Sequence, residues 1–377
     1  MYIFIKIRKI DKNKLINIYI KYMSIIELGI SKFRNDNGIS CYINSILHIL
    51  QQLPYFSDYI ITEKYLDDLK NKNIELKTTV IYELFRILKL SHENDNINIT
   101  PSSFKKIIAK KNYMWGEIAQ QDSQEFLIFM ISQLEEEVGN NIEYIPGRKD
   151  FTNNDAITKN DIYKLCGLDR NKKDFSIMKE LFIGSTSSNI ICQFCESHAP
   201  NFENFITLSL DIPLESKSSI TLHDCLRHTL KDEKFDADNK VNCDFCGIKN
   251  KSTRKIKLWK TPKILIIHFK RFKTNEYGQQ VNKITNQINY PINNLNISDY
   301  FDENSPHKDK SKYDLLGINV HEELMHKSTE VGHYISAVKN KYDNKWYIFN
   351  DSCEPCYIKQ EHLQNTNAYM LFYIRKD

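Results

Sequence analysis

The residues best equipped for chemistry in this 377-residue chain are its nine cysteines. Cys192-x-x-Cys195 and Cys243-x-x-Cys246 form two thiol pairs with 47 residues between them. Each pair can clamp one edge of a tetrahedral ion from a tight knuckle, and four thiolates leave no coordination position open for water. The spacing occurs twice, which disfavours four unrelated buried cysteines, and Gly247 follows the second pair as such knuckles prefer. The pattern predicts one structural zinc per chain on Cys192, Cys195, Cys243 and Cys246. A closed site of this kind builds a scaffold and identifies no reaction.

Cys41 is placed differently. It follows the polar stretch Asn35-Asp36-Asn37-Gly38-Ile39-Ser40 and opens a run with Ile43, Ile46, Leu47 and Leu50 at helical spacing, ended by Pro54. Its sulfur is then expected at the positive end of a helix dipole, a setting that favours the nucleophilic thiolate. A cysteine in a helix's first turn is more often a small packed residue, so a nucleophile here needs a base.

Eleven histidines compete for that role, and His333 has the right surroundings. Gly332-His333-Tyr334 begins a β-like run, Asn340 to Asn344 is turn-like, and Trp346 to Phe349 returns, followed by Asn350 and Asp351. A hairpin centred on Tyr342 sets His333 opposite Asp351 and beside Asn350. Cys, His and an Asn or Asp form the constellation of a thiol protease, in which the third group fixes the orientation and tautomer of the base. Such chemistry requires no catalytic cofactor.

The elements that must position these groups change character along the chain. The first half is mainly helical: after the Cys41 stretch, Thr100-Pro101 reads as N-cap and first residue of a helix through Phe104, Ile107 and Ile108. Leu127, Met130, Ile131, Leu134 and Val138 mark a further stripe, and Asp122-x-x-Glu125 before it reads as a capping box. After about residue 181 the period shifts toward two. Runs at Ile206–Ile212, Ile264–Phe269, His333–Val338, Trp346–Phe349 and Ala368–Ile374 read as strands rich in β-branched and aromatic residues. Helices and strands that segregate in this way predict an α+β fold, with surface insertions at 138–162 and 293–312.

These segments resemble the ubiquitin-specific proteases, papain-like cysteine deubiquitinases built as thumb, fingers and palm. Gly38-Ile39-Ser40-Cys41-Tyr42-Ile43-Asn44-Ser45 is similar to the family's Cys box. Gln121-Asp122-Ser123-Gln124-Glu125-Phe126 is similar to its Gln-Asp box, and Gly332-His333-Tyr334 with Trp346 to Asp351 to its His box. Leu265 to Phe272, Tyr290-Pro291 and Ala368 to Tyr373 resemble palm motifs, in the family's order.

The resemblance implies an α+β papain-like cysteine protease fold. A helical thumb at about 33–180, zinc-bearing β fingers at about 181–258 and an antiparallel β palm at about 259–377 would follow a basic extension, 1–32. It implies Cys41 as nucleophile, His333 as general base, Asn350 as third member and Asp351 as the adjacent acidic position. Asp122 and Glu125 would face the arginines of ubiquitin's Leu-Arg-Leu-Arg-Gly-Gly tail. The family's oxyanion-hole asparagine aligns with Asp36, flanked by Asn35 and Asn37, so the hole is expected at Asp36 and Asn37, with an amide from Asn35 or Asn37 in place of the Asp36 carboxylate as the arrangement slightly favoured. Cys353-x-x-Cys356 is a third pair that the family does not imply and reads as ordinary strand cysteines, with redox control or a second metal as the alternatives.

The implied activity is hydrolysis of the peptide or isopeptide bond after ubiquitin's terminal glycine, with ubiquitin and ubiquitinated proteins as partners. Two alternatives share the motifs: a weak or inactive ubiquitin-binding pseudo-protease, which Asp36 favours, and a protease for another ubiquitin-like modifier. A nucleic-acid partner is not expected. The net charge is only +4, and residues 1–34 carry eight Lys and Arg against two Asp and Glu, which leaves the body slightly negative. No apolar run approaches the length of a membrane span or secretory signal. An odd cysteine number in a long chain favours a reducing intracellular compartment, cytoplasmic or nuclear.

Overall fold

The computed structural model describes residues 29–36, 38–70, 72–142, 173–213, 219–236, 239–274, 280–323, 332–365 and 367–376. Most of the basic extension and most of the 138–162 stretch lie outside them. Gly29 to Lys32 already pack on the body. The Gly29 carbonyl accepts from Gln52 Nε2 at 3.2 Å, and Lys32–Phe33 pairs in parallel with Asn98–Ile99.

The helices come first. Cys41–Gln52 is buried along its whole length, so its polar face of Asn44, Ser45, His48 and Gln51 also meets protein rather than water. It packs between the Gly332–Lys339 strand and the Ser123–Val138 helix. His48 is stacked between Phe33 and Phe349, ring centroids 4.4 and 4.3 Å away, and burial pushes its imidazole down to about 3, which keeps it neutral. The helix expected from Thr100 spans Ser102–Lys111, with Pro101 at the cap position rather than inside the first turn. The periodic stripe after Asp122 forms Ser123–Val138, with Leu127, Met130, Ile131, Leu134 and Val138 all buried.

The expected strands form an eight-stranded sheet. Its path runs Cys356–Ile358, Trp346–Phe349, Gly332–Lys339, Lys312–Glu323, Ala368–Arg375, Ile264–Phe269, Thr207–Leu210, with Leu295–Asn296 also paired to Lys312–Glu323. It is antiparallel except where Thr207–Leu210 joins Ile264–Phe269 in parallel. Ile264 and Ile266 face the core shared with the helices, whereas Leu265 and Ile267 face a second core on the opposite side. Both faces are covered, which explains why Ile264–Phe269 reads as an unbroken apolar run.

The 293–312 stretch is a surface insertion only over residues 303–310, which are largely exposed. Its Leu295, Ile297, Tyr300 and Phe301 are buried in the second core, and their spacing was masked by the polar residues between them. A separate four-stranded antiparallel sheet, ordered His198–Phe205, Gly184–Cys192, Ser252–Lys260, Glu233–Phe235, carries the CxxC pairs near one end. Among the described residues no helix is long and apolar enough to cross a membrane.

Candidate active site

Cys41 lies buried in the first turn of its helix, 1% exposed. The preceding Ser40 N–H donates to Asn35 Oδ1 at 2.8 Å, so the polar loop folds back on the helix start. His333 enters from the neighbouring strand, a fifth of its side chain exposed. Its hydrogen bond with Cys41 raises the imidazole, burial opposes this, Asn350 adds to it, and the ring rests at about 9. Nε2 pairs with Asn350 Oδ1 at 2.7 Å, which leaves Nδ1 to face Cys41.

The hairpin behind this contact has a different register from the expected one. Ser336 pairs with Phe349 and Lys339 with Trp346, one residue out from a turn centred on Tyr342. The cause is a four-residue loop: Asn340 N–H bonds the Lys345 carbonyl, Asn340 Oδ1 accepts from Tyr342 and Asp343 N–H, and Asn344 takes a left-handed φ of 60°. Pairing ends at Ser336 and Phe349, so His333 and Asn350 meet beyond the ladder, through side chains.

Asp351 also lies past the ladder, with a left-handed φ of 46° that Asp tolerates better than most residues. Its Oδ1 accepts from Asn44 Nδ2 and its Oδ2 from Asn35 Nδ2, each at 2.8 Å, and its carbonyl accepts from Phe33 N–H at 3.1 Å. At 4.0 Å from His333 Nε2 it is beyond hydrogen-bond range and acts on the ring by charge alone.

The structure thus brings Cys41, His333, Asn350 and Asp351 together. Asp36 is ion-paired to Arg34 Nε at 3.1 Å, both side chains 55% exposed. Asn37 lies outside the described residues. Asp122 caps its helix, accepting from Gln124 and Glu125 N–H at 2.7 and 3.1 Å, and its other oxygen accepts from Tyr369 Oη at 2.5 Å. Glu125 is exposed beside it. Cys353 sits in the bend after Asn350 and Cys356 opens the edge strand, so only one of the two is a strand residue.

Two participants, Asn44 and Lys105, escaped the sequence reading. Asn44 stands one helical turn after Cys41, a spacing that could have flagged it. Asn35, which the sequence already offers with Asn37 as a source of the oxyanion-hole amide, joins the nucleophile loop to Asp351. Lys105 Nζ donates to Ser40 Oγ at 2.7 Å from a helix distant in sequence, and no local pattern announces it.

At the end of the four-stranded sheet the sulfurs of Cys192, Cys195, Cys243 and Cys246 lie within 4.8 Å of one another. Cys195 and Cys243 are 3.6 Å apart, close to the ~3.8 Å edge of a tetrahedron with metal–sulfur bonds of about 2.3 Å. Cys192 N–H bonds the Ser197 carbonyl and Cys243 N–H the Ile248 carbonyl, closing two knuckles. Gly247 takes φ 70°, and Glu196 takes φ 54° at the same place in the first knuckle, where the sequence offers no glycine. The Ser197 hydroxyl, near both Cys195 and Cys243, draws the Cys243 thiol down to about 6. The donor set suits a thiophilic ion such as zinc.

Residues 33–373 match the family model of the ubiquitin carboxyl-terminal hydrolases. Ubiquitin carboxyl-terminal hydrolase 2 of Gallus gallus is 30% identical over 348 residues, spanning 92% of this chain and 93% of the relative. Its counterpart from Bos taurus is 28% identical over 347 residues, and there the chain spans only 55% of the relative's length. Among solved structures, the SAGA Ubp8/Sgf11/Sus1/Sgf73 DUB module bound to ubiquitin aldehyde aligns with a TM-score of 0.68 and 24% identity. That alignment covers 98% of this chain and 77% of the other, and shows the same α+β fold.

Proposed function

Given that the chain belongs to the ubiquitin carboxyl-terminal hydrolase family, we propose that it is a thiol-dependent deubiquitinase. The observation that carries the reading is the Cys41–His333–Asn350 constellation at a helix start, with the His333 ring held up at about 9 by its sulfur partner. A ring with that affinity is protonated at neutral pH, and an imidazolium against a cysteine sulfur is the resting pair of a thiol protease.

The Cys41 thiolate attacks the carbonyl of ubiquitin's terminal glycine. The C–N bond breaks as His333 gives its proton to the departing lysine amine, leaving a thioester. The neutral ring then takes a proton from water, whose oxygen displaces the sulfur and regenerates the pair. Asn350 holds the ring in the tautomer that presents Nδ1 to sulfur. Asp351 fixes the loop on both sides of the site through Asn35 and Asn44. The tail arginines reach the face that carries Asp122 and Glu125, where charge-assisted bonds can hold them.

Cys192, Cys195, Cys243 and Cys246 hold one structural zinc, which stabilises the end of the four-stranded sheet and takes no part in the reaction. None of the eight described cysteines is in a disulfide, and the five at the two sites must stay reduced to act, which supports a reducing intracellular compartment. The test is ubiquitin carrying a C-terminal thiol-reactive electrophile. A covalent adduct that is lost in Cys41→Ser is the expected result, and an adduct retained in that variant overturns Cys41 as nucleophile.

A further inference from the structure

Asn319 sits in the middle of the Lys312–Glu323 strand with no exposed surface. Its neighbours Ile318 and Val320 face the second core, while Asn319 faces the helices. A buried amide is costly unless both ends are paired. Here both are: Nδ2 donates to Ser45 Oγ at 2.9 Å, and Oδ1 accepts from Ser123 Oγ at 2.9 Å. Ser45 is in the Cys41 helix and passes the chain on to the Tyr42 carbonyl at 3.2 Å. Ser123 begins the helix capped by Asp122, and Asn319 itself pairs with Ser336 in the strand that carries His333.

The elements carrying the nucleophile and the acidic cap therefore converge on the Asn319 amide, and the strand carrying the base pairs with its backbone. Apolar contacts alone would hold them together without fixing their spacing, whereas hydrogen bonds of set length and direction fix it. We propose that Asn319 is a positioning residue: it sets the distance between the Asp122 helix end, which holds the substrate tail, and the Cys41 thiolate. This rests on the deubiquitinase reading above. Attack requires the carbonyl within van der Waals reach of sulfur and aligned with it, so a small slip between the two helices impairs reaction more than binding.

The test compares wild type with Asn319→Leu, similar in size but without hydrogen bonds, and with the milder Ser45→Ala and Ser123→Ala. Ubiquitin with a C-terminal fluorogenic amide gives kcat and KM. Iodoacetamide alkylation of Cys41 reports the thiolate without any tail, and circular dichroism reports folding. Expected is a fall in kcat of roughly tenfold or more in Asn319→Leu, with KM and alkylation rate within about twofold of wild type. Each serine variant should also slow kcat, and adding Asn319→Leu to either should cost little more.

A folded Asn319→Leu with unchanged kcat overturns the proposal, as does a parallel fall in alkylation. If Asn319→Leu does not fold, the serine variants decide: unchanged kcat in both overturns it, and a kcat-specific loss in both supports it. A wild type that releases no fluorophore overturns the deubiquitinase reading and this proposal with it, whereas a working wild type with indifferent variants overturns this proposal alone.

Discussion

Asn35 Nδ2 donates to Asp351 Oδ2 at 2.8 Å, which joins the loop before the nucleophile to the residue after Asn350. Asp351 holds Asn44 by its other oxygen, so one carboxylate locks the Cys41 helix, its leading loop and the His333 hairpin. Asp351→Ala leaves the part-buried Asn35 Nδ2 without its acceptor, at about 1–3 kcal/mol, and leaves Asn44 Nδ2 only its longer bonds to the Phe33 and Arg34 carbonyls at 3.3 and 3.4 Å. The expected outcome is a clear fall in Tm together with slower turnover. Asn350→Ala should slow turnover with little change in Tm. Equal Tm values for the two variants would show that Asp351 is not the structural member of the pair.

His333 supplies a pH signature. Its ring is raised to about 9 chiefly by Cys41, with Asn350 adding to the shift. Below that value the ring carries the proton the leaving amine needs; above it the proton is gone. We expect kcat/KM for a ubiquitin-linked reporter to decline on the alkaline side near pH 9. Asn350→Ala should move that limb toward lower pH, because a contribution that favours the charged ring has been removed. A limb that stays in place assigns the proton to another group.

Much of this site is legible in the sequence because each local signal has a local physical cause. Cys41 opens a helix whose stripe is visible, and the CxxC pairs declare their knuckles by spacing. The His333 strand and its return are readable from β-branched and aromatic runs. The register is not, because a four-residue loop and a three-residue loop differ only in how Asn340 and Asn344 fold. Lys105 and Asn319 act through contacts made across 65 and 196 or more residues, and a one-dimensional pattern carries no trace of such contacts. The 293–312 stretch shows the opposite error: a polar composition concealed four apolar side chains that the fold buries.

The four-cysteine cluster predicts a measurable stoichiometry. Elemental analysis should find about one zinc per chain, reduced in Cys192→Ser and in Cys243→Ser, with loss of protease resistance in the 184–260 region on chelation. Full zinc occupancy in both variants would contradict the cluster as the metal site.

Asp122 serves two masters, its own helix and Tyr369, and on our reading the substrate tail as well. Asp122→Asn keeps an oxygen for the cap and an amide N–H that can donate to the Tyr369 hydroxyl, but loses the charge, so Tm should change little while ubiquitin affinity falls by a charge-assisted contact of about 1.5–3 kcal/mol. Calorimetric titration of ubiquitin into the Cys41→Ser background separates the two. Matched losses of stability and affinity would confine Asp122 to capping.

Asp36 stands where the resembling family keeps an amide, and electrostatics gives opposite answers for its two possible settings. A carboxylate aimed at the developing oxyanion repels it, and Asp36→Asn would then raise turnover by restoring part of the about 2.7–4 kcal/mol that one such donor supplies. The geometry argues for the other setting. Asp36 is ion-paired with Arg34 at the surface, while the neighbouring Asn35 spans from Ser40 N–H to Asp351 directly before the nucleophile. Lys105, whose amine is pushed down by burial and drawn back up by Asp36, places a further cation on Ser40 Oγ. Arg34 thus holds the Asp36 carboxylate at the surface, and the Lys105 amine adds a second positive charge on its side of the loop. We expect kcat/KM of Asp36→Asn to stay within about threefold of wild type, and Asn35→Ala to lose roughly a hundredfold, the scale of a lost oxyanion donor or of a misplaced nucleophile. A large gain in Asp36→Asn with an indifferent Asn35→Ala would reverse the assignment and place the carboxylate at the oxyanion.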